Sequence, residues 1–122
     1  MKKEFAIPSP IAGAMQAINH GDADTFVSGF IPDAVVADVR REFRGFAAIR
    51  QWAEQEIFSV NVTIDVVDVA GRDGQTVVTV EVDGAFDKTG LPDPLLLNHY
   101  FTLEGDKIGA FRSGLADEEA RA

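Results

Sequence analysis

The order of elements along the chain predicts an α+β fold, with helices packed on one face of a mostly antiparallel sheet. Three observations carry that expectation. Apolar residues recur at helical spacing in two stretches before residue 31 and in a third after residue 45. From residue 60 onward, valine-rich and alternating segments separated by turn residues read as four long strands. No G-x-G-x-x-G occurs, and the element order does not suit a Rossmann fold.

The first helix starts at Ser9-Pro10, where Ser9 can cap free N–H groups and Pro10 suits the first helical position. Ile11, Ala14, Met15 and Ile18 form its apolar face, and Gly21 supplies a left-handed cap. Asp22 can cap a second, short helix with Phe26, Val27 and Phe30 as its stripe and Pro32 as its stop. Residues 34–39 read as a buried strand, and Arg40 to Arg44 as a short charged hairpin or edge. Gly45 opens a third helix, which turns Ile49, Trp52, Ala53 and Ile57 inward and Arg50, Gln51, Glu54 and Gln55 outward. A valine-rich strand over 60–70 ends at the Arg72-Asp73-Gly74 turn. Thr76 to Phe86 alternate, with Val78, Val80 and Val82 on one face and Thr79, Glu81 and Asp83 on the other. A loop from Lys88 to Pro94 precedes two strands, Leu95 to Leu103 and Ile108 to Ser113, joined at Glu104-Gly105-Asp106.

Composition narrows the function classes. A chain of 122 residues is one domain, expected over 1–122 with flexible ends at about 1–8 and 115–122, the latter carrying Asp117, Glu118 and Glu119. It has no cysteine and two histidines, His20 and His99, which excludes disulfides, thiolate metal sites and a cysteine nucleophile and leaves no basis for a metal. No cofactor is expected. Eleven basic against twenty acidic residues give a net charge of −9, which disfavours nucleic acid and anionic membrane surfaces as partners. No apolar run has the length of a membrane span, and no apolar stretch follows the two N-terminal lysines as in a signal peptide. The cytoplasm is the expected location.

Four segments together resemble a known superfamily. They are Ala17-Ile18-Asn19-His20-Gly21-Asp22-Ala23-Asp24, Phe30-Ile31-Pro32-Asp33-Ala34-Val35-Val36-Ala37-Asp38, Phe43-Arg44-Gly45-Phe46-Ala47-Ala48-Ile49-Arg50, and Asn98-His99-Tyr100-Phe101-Thr102-Leu103 followed by Asp106-Lys107-Ile108. In this order they are similar to the nuclear-transport-factor-2-like superfamily, in its SnoaL-like and ketosteroid-isomerase-like branch. The resemblance implies a cone, a cystatin-like α+β barrel in which a strongly bent antiparallel sheet wraps three helices around an apolar pocket. It also implies a homodimer packed through the outer sheet face. Fold alone does not choose a chemistry.

Asp38 is the first candidate catalytic residue. It follows a run of Ala and Val and shares a strand face with Ala34 and Val36. In an apolar pocket, desolvation would raise its pKa and suit it to general acid or base work. The resemblance implies the base of ketosteroid isomerases at this position, in an enzyme whose paired carboxyl groups are a known example of tuned acidity. The plainer alternative is a strand-end aspartate that pairs with Arg40 or caps a turn. His99 is the second candidate, able to donate one hydrogen bond and accept another. It shares a face with Phe101 and Leu103, and a slip of one residue would turn Asn98 and Tyr100 inward instead. The resemblance places it near the protonated carboxyl donor of steroid isomerases.

The tyrosine that those enzymes carry on the first helix corresponds here to Ala14, and Met15 beside it cannot donate either. A missing donor of this kind costs about 3 kcal/mol of transition-state stabilisation, which argues against steroid isomerisation. No Arg-x-Asp occurs, so the epoxide-opening arrangement is absent as well. Arg112, read as facing with Ile108 and Ala110, could hold a carboxylate; the alternative is a rim or interface arginine. Met15, Phe30, Trp52, Phe58 and Phe101 are expected to line the cavity or to pack as ordinary core. The leading expectation is a pocket domain for a small hydrophobic or carbonyl-bearing metabolite: an isomerase, cyclase or lyase using Asp38. The alternative is a ligand-binding or dimerisation module of the same fold, pairing through the face of Thr79, Glu81 and Asp83.

Overall fold

Ser9–His20 forms α1, with Ile11, Ala14, Met15, Ala17 and Ile18 turned into the core. This structure is a computed structural model that describes residues 6–38, 41–72 and 74–116. The expectations for residues 39, 40 and 73 and for the ends 1–5 and 117–122 lie outside the described residues.

Helix α1 begins one residue earlier than the sequence suggests. Pro8 is its N-cap, Ser9 is already helical, and no side chain caps the start. Its end is as expected: Gly21 sits at φ +69°, and backbone N–H groups there reach the carbonyls of Ala17 and Ile18. The α2 helix, Ala23–Ser28, is capped by Asp22, which accepts from the Thr25 N–H at 3.1 Å and from its hydroxyl at 2.6 Å. Pro32 does not stop this helix. The chain leaves it at Gly29, and Pro32 lies exposed within β1, Phe30–Ala37. A short edge strand, β2 (Glu42–Arg44), pairs antiparallel with β1 through Val36 and Phe43. Gly45, at φ +87°, precedes α3 (Phe46–Ala53), which continues in a π-helical turn over Glu54–Phe58. Ile49, Trp52, Ala53 and Ile57 are buried along this element, as their spacing predicts.

Four long strands follow: β3 (Thr63–Arg72), β4 (Gln75–Asp83), β5 (Leu96–Glu104) and β6 (Lys107–Leu115). The sheet order is β2-β1-β6-β5-β4-β3. It is mixed, because β1 runs parallel to β6, and open, because β2 and β3 are its two edges. The fold is the expected α+β cone, with a sheet that is mixed through the β1–β6 pair and not closed into a barrel. A strand entered from a helix can lie parallel to its neighbour, whereas hairpin-linked strands cannot.

The inner face of the sheet and the helices share one core, which contains Phe26, Phe30, Val36, Ile49, Val80 and Ile108. Phe26 meets Phe30 edge-on, with ring centres 5.2 Å apart. Asn19 ties α1 to the outer edge of β3: its Nδ2 donates to the Ile64 carbonyl at 3.0 Å, and its Oδ1 accepts from the Ile64 N–H at 2.8 Å.

One irregularity in β6 decides the rest. Thr102 pairs with Ala110 but Leu103 pairs with Ile108, so Gly109 is an extra residue in the ladder. Ile108 and Phe111 are consequently both buried although three positions apart. Beyond the bulge, Phe111 and Ser113 face inward and Arg112 faces outward.

Candidate functional site

Between the inner sheet face and the third helix lies a cavity of about 250 Å³. Its walls include Trp52, Ile57, Ile64, Leu97 and Phe111. Five residues that can hydrogen-bond or carry charge through their side chains line it: Asp38, Trp52 through its indole N–H, Glu56, His99 and Ser113.

His99 reaches the cavity because β5 alternates regularly. It stands between Val78 of β4 and Ser113 of β6 in register. At 6% exposure it is the buried polar side chain among the described residues. Its ring lies 4.9 Å from that of Phe111 and 6.2 Å from that of Phe101, both edge-on. Burial lowers its pKa from 6.5 to about 4, so the imidazole is neutral at pH 7. Nδ1 is fully buried and has no hydrogen-bond partner. The alternative register does not occur. Asn98 and Tyr100 face the other side of the sheet, where Asn98 accepts from the Thr79 hydroxyl at 2.6 Å.

Asp38 follows the last residue of β1, beyond the buried Ala34 and Val36. Its side chain is 27% exposed and stands at the cavity opening. The Arg41 N–H donates to Oδ1 at 2.9 Å, and Nε and Nη2 of Arg41 donate to Oδ2 at 3.0 and 2.5 Å. The same guanidinium reaches Glu56, with Nη1 donating to Oε2 at 2.5 Å and Nη2 to Oε1 at 2.7 Å. Glu56 first and Asp38 second push the Arg41 pKa further up, so its charge is fixed. This corrects the expectation of an aspartate in purely apolar surroundings. A cation, Arg41, holds the carboxyl at a polar rim. The partner the structure describes is Arg41; the Arg40 pairing lies outside the described residues.

The other expected lining residues divide. Trp52 lines the cavity. Met15, Phe30 and Phe101 are buried in the core without lining it, and Phe58 packs against Phe26 with ring centres 5.9 Å apart. Arg112 lies on the outer face, its guanidinium 4.0 Å above the Tyr100 ring. It does not share a face with Ile108, because Gly109 breaks the alternation. The same bulge turns Ser113 into the cavity, where counting by twos from Ile108 does not put it. A glycine inside an otherwise regular strand is the signal that could have revealed this.

A second, larger hollow of about 650 Å³ lies outside the sheet and includes Thr63, Asp65, Glu81, Asp83, Lys88 and Asp93. Lys88 pairs with Asp83 there at 2.7 Å. Among the described residues, no group of three or more His, Asp or Glu side chains could hold a metal ion. No helix among them is long and apolar enough to cross a membrane.

A family model for the SnoaL-like domain matches residues 11–110. The chain belongs to the SnoaL-like family. No curated protein matches it. Among solved structures, the SnoaL-like chain is similar to a candidate polyketide cyclase from Sinorhizobium meliloti, with 22% identity, a TM-score of 0.78 and coverage of 88% of this chain and 95% of that one. A protein from Catenulispora acidiphila with a ketosteroid-isomerase-like fold, solved in complex with trimethylamine, has 14% identity, a TM-score of 0.74 and coverage of 89% and 86%. A candidate ketosteroid isomerase from Kribbella flavida has 10% identity, a TM-score of 0.70 and coverage of 87% and 74%. Likeness at these identities shows the nuclear-transport-factor-2-like fold.

Proposed function

We propose that the cavity binds a small, largely apolar molecule bearing a carbonyl group, and that His99 donates the hydrogen bond that orients it. The observation that carries this reading is a neutral, buried imidazole in the wall of an apolar cavity. Orphaned N–H groups are rarer in proteins than under-used acceptors. The enclosed Nδ1 is accordingly read as the lone-pair nitrogen, which leaves the proton on Nε2 for an occupant. The volume of about 250 Å³ lies below the usual range for drug-sized ligands of roughly 300–1,000 Å³. A small ring system suits it better than a steroid.

The catalytic version of this reading assigns proton transfer to Asp38, as in an isomerase, cyclase or lyase. It is favoured because Asp38 and His99 line one cavity. In that role Asp38 is the base, held in place by Arg41. The reading as a binding module is favoured by the same Arg41 contacts, which occupy both carboxylate oxygens. Homodimer formation through the outer face of β4 and β5, around Thr79 and Glu81, belongs to this proposal. Sedimentation showing a monomer at micromolar concentration would remove it.

The experiment is a titration with 1-tetralone followed by the fluorescence of Trp52, the chain's one tryptophan and a cavity wall residue. Saturable quenching in the wild type that weakens in His99→Leu supports the pocket. Equal response in both proteins overturns the role of His99. Loss of α-proton exchange of the bound ketone in Asp38→Asn separates the catalytic version from binding alone.

A further inference from the structure

We propose that His99 and Ser113 form a two-point anchor, which selects occupants with a carbonyl and a hydroxyl on adjacent carbons. The inference rests on the pocket reading above and specifies its ligand class. Ser113 stands directly opposite His99 across the β5–β6 ladder, and both residues line the cavity. Opposed residues on one sheet face hold their Cβ atoms roughly 4.5–5.5 Å apart. Two neighbouring oxygens on one ligand span the gap between such side chains.

The pair is free for this use. Ser113 makes no side-chain hydrogen bond among the described residues, and the Nδ1 of His99 makes none either. A polar side chain at an apolar wall normally finds a partner, since leaving one unpaired is costly. The division of roles follows from donor chemistry. Neutral His99 supplies one N–H to the ligand carbonyl, and the Ser113 hydroxyl both accepts from and donates to the neighbouring ligand hydroxyl. The nearby wall is Phe111 and Leu97, so the rest of the ligand is hydrocarbon. At the opening, Arg41 pairs with both Asp38 and Glu56. The net charge of −9 disfavours a carboxylate ligand. The selected class is the uncharged α-hydroxyketone.

The test compares three probes by calorimetry: tetralin, 1-tetralone and 2-hydroxy-1-tetralone. The expected order in the wild type is rising affinity, with the hydroxyl adding about three- to tenfold over the ketone. Ser113→Ala should remove that increment, so that 2-hydroxy-1-tetralone binds this variant no more tightly than 1-tetralone does. No binding of any probe would sink the pocket reading itself. Binding of 1-tetralone with no gain from the hydroxyl would overturn the two-point anchor alone. The wild-type comparison needs no variant, so a folding defect in Ser113→Ala cannot mask the result. A gain that persists in a folded Ser113→Ala assigns the hydroxyl to another residue and also overturns the proposal.

Discussion

The Asp38 carboxylate holds Arg41 at two points, with Nη2 2.5 Å from Oδ2 and the Arg41 backbone N–H 2.9 Å from Oδ1. The Asp38 N–H donates to the Arg41 carbonyl at 3.0 Å. Because Arg41 also holds Glu56, the end of β1 is linked to the π-helical turn on the far side of the cavity opening.

Arg41→Ala cuts that link. Exposed ion pairs contribute little to stability, so the denaturation midpoint should hardly move. The exchange of 1-tetralone should change, with faster association and dissociation in stopped-flow fluorescence. Unchanged rates would show that Arg41 does not control entry.

His99 makes stability depend on pH. In the unfolded chain its pKa is near 6.5, whereas in the fold it is lowered to about 4. As pH falls below 6.5, the unfolded state takes up a proton that the folded state refuses, so stability declines until about pH 4. Above 6.5 the contribution is fully present. At 1.36 kcal/mol per unit the loss across this window is about 3 kcal/mol. Urea denaturation at stepped pH should show that decline in the wild type and a flatter profile in His99→Leu. Parallel profiles would mean that His99 takes up its proton in the folded state as readily as in the unfolded one.

Asn19→Ala should destabilise by about 1–3 kcal/mol, because it leaves both the N–H and the C=O of Ile64 without their side-chain partner. Hydrogen exchange at Ile64 should accelerate more than at Val80 in the centre of the sheet. A uniform acceleration would indicate global rather than local loosening.

Gly84→Ala places a Cβ 2.9 Å from the Val60 carbonyl and 3.0 Å from the Phe86 ring. The backbone atom cannot yield cheaply, so a loss of about 1–3 kcal/mol is expected. Phe86 also lines the cavity, so binding of 1-tetralone should weaken as well. Full stability in the variant would show that the 84–86 segment shifts freely.

How much of this was legible beforehand depended on how local the signal was. The Gly21 cap, the Asp22 cap and the buried face of α3 are set by side chains within a few positions, and each matched its pattern. The inward placement of His99 followed from uninterrupted alternation in β5. Arg112 and Ser113 were misread or missed because a single inserted residue, Gly109, reverses the parity of β6. The Arg41–Glu56 contact joins residues 15 positions apart, which no local periodicity encodes. Pro32 was read as a stop since it cannot donate, yet an irregular stretch of β1 accommodates it: the pairing register with β6 shifts between Phe30 and Val35.

The open sheet leaves β3 at an edge with no neighbouring strand, where Asn19 covers Ile64. That strand has a register shift between Val66 and Asp68, with Val67 exposed in between, and carries Asp65 and Asp68 as exposed acids. A kinked, negatively charged border is a poor template for another strand. Replacing Asp65 and Asp68 with threonine would straighten nothing but would remove the repulsion between like borders. Edge-to-edge association is the hazard that charged, kinked borders of this kind oppose.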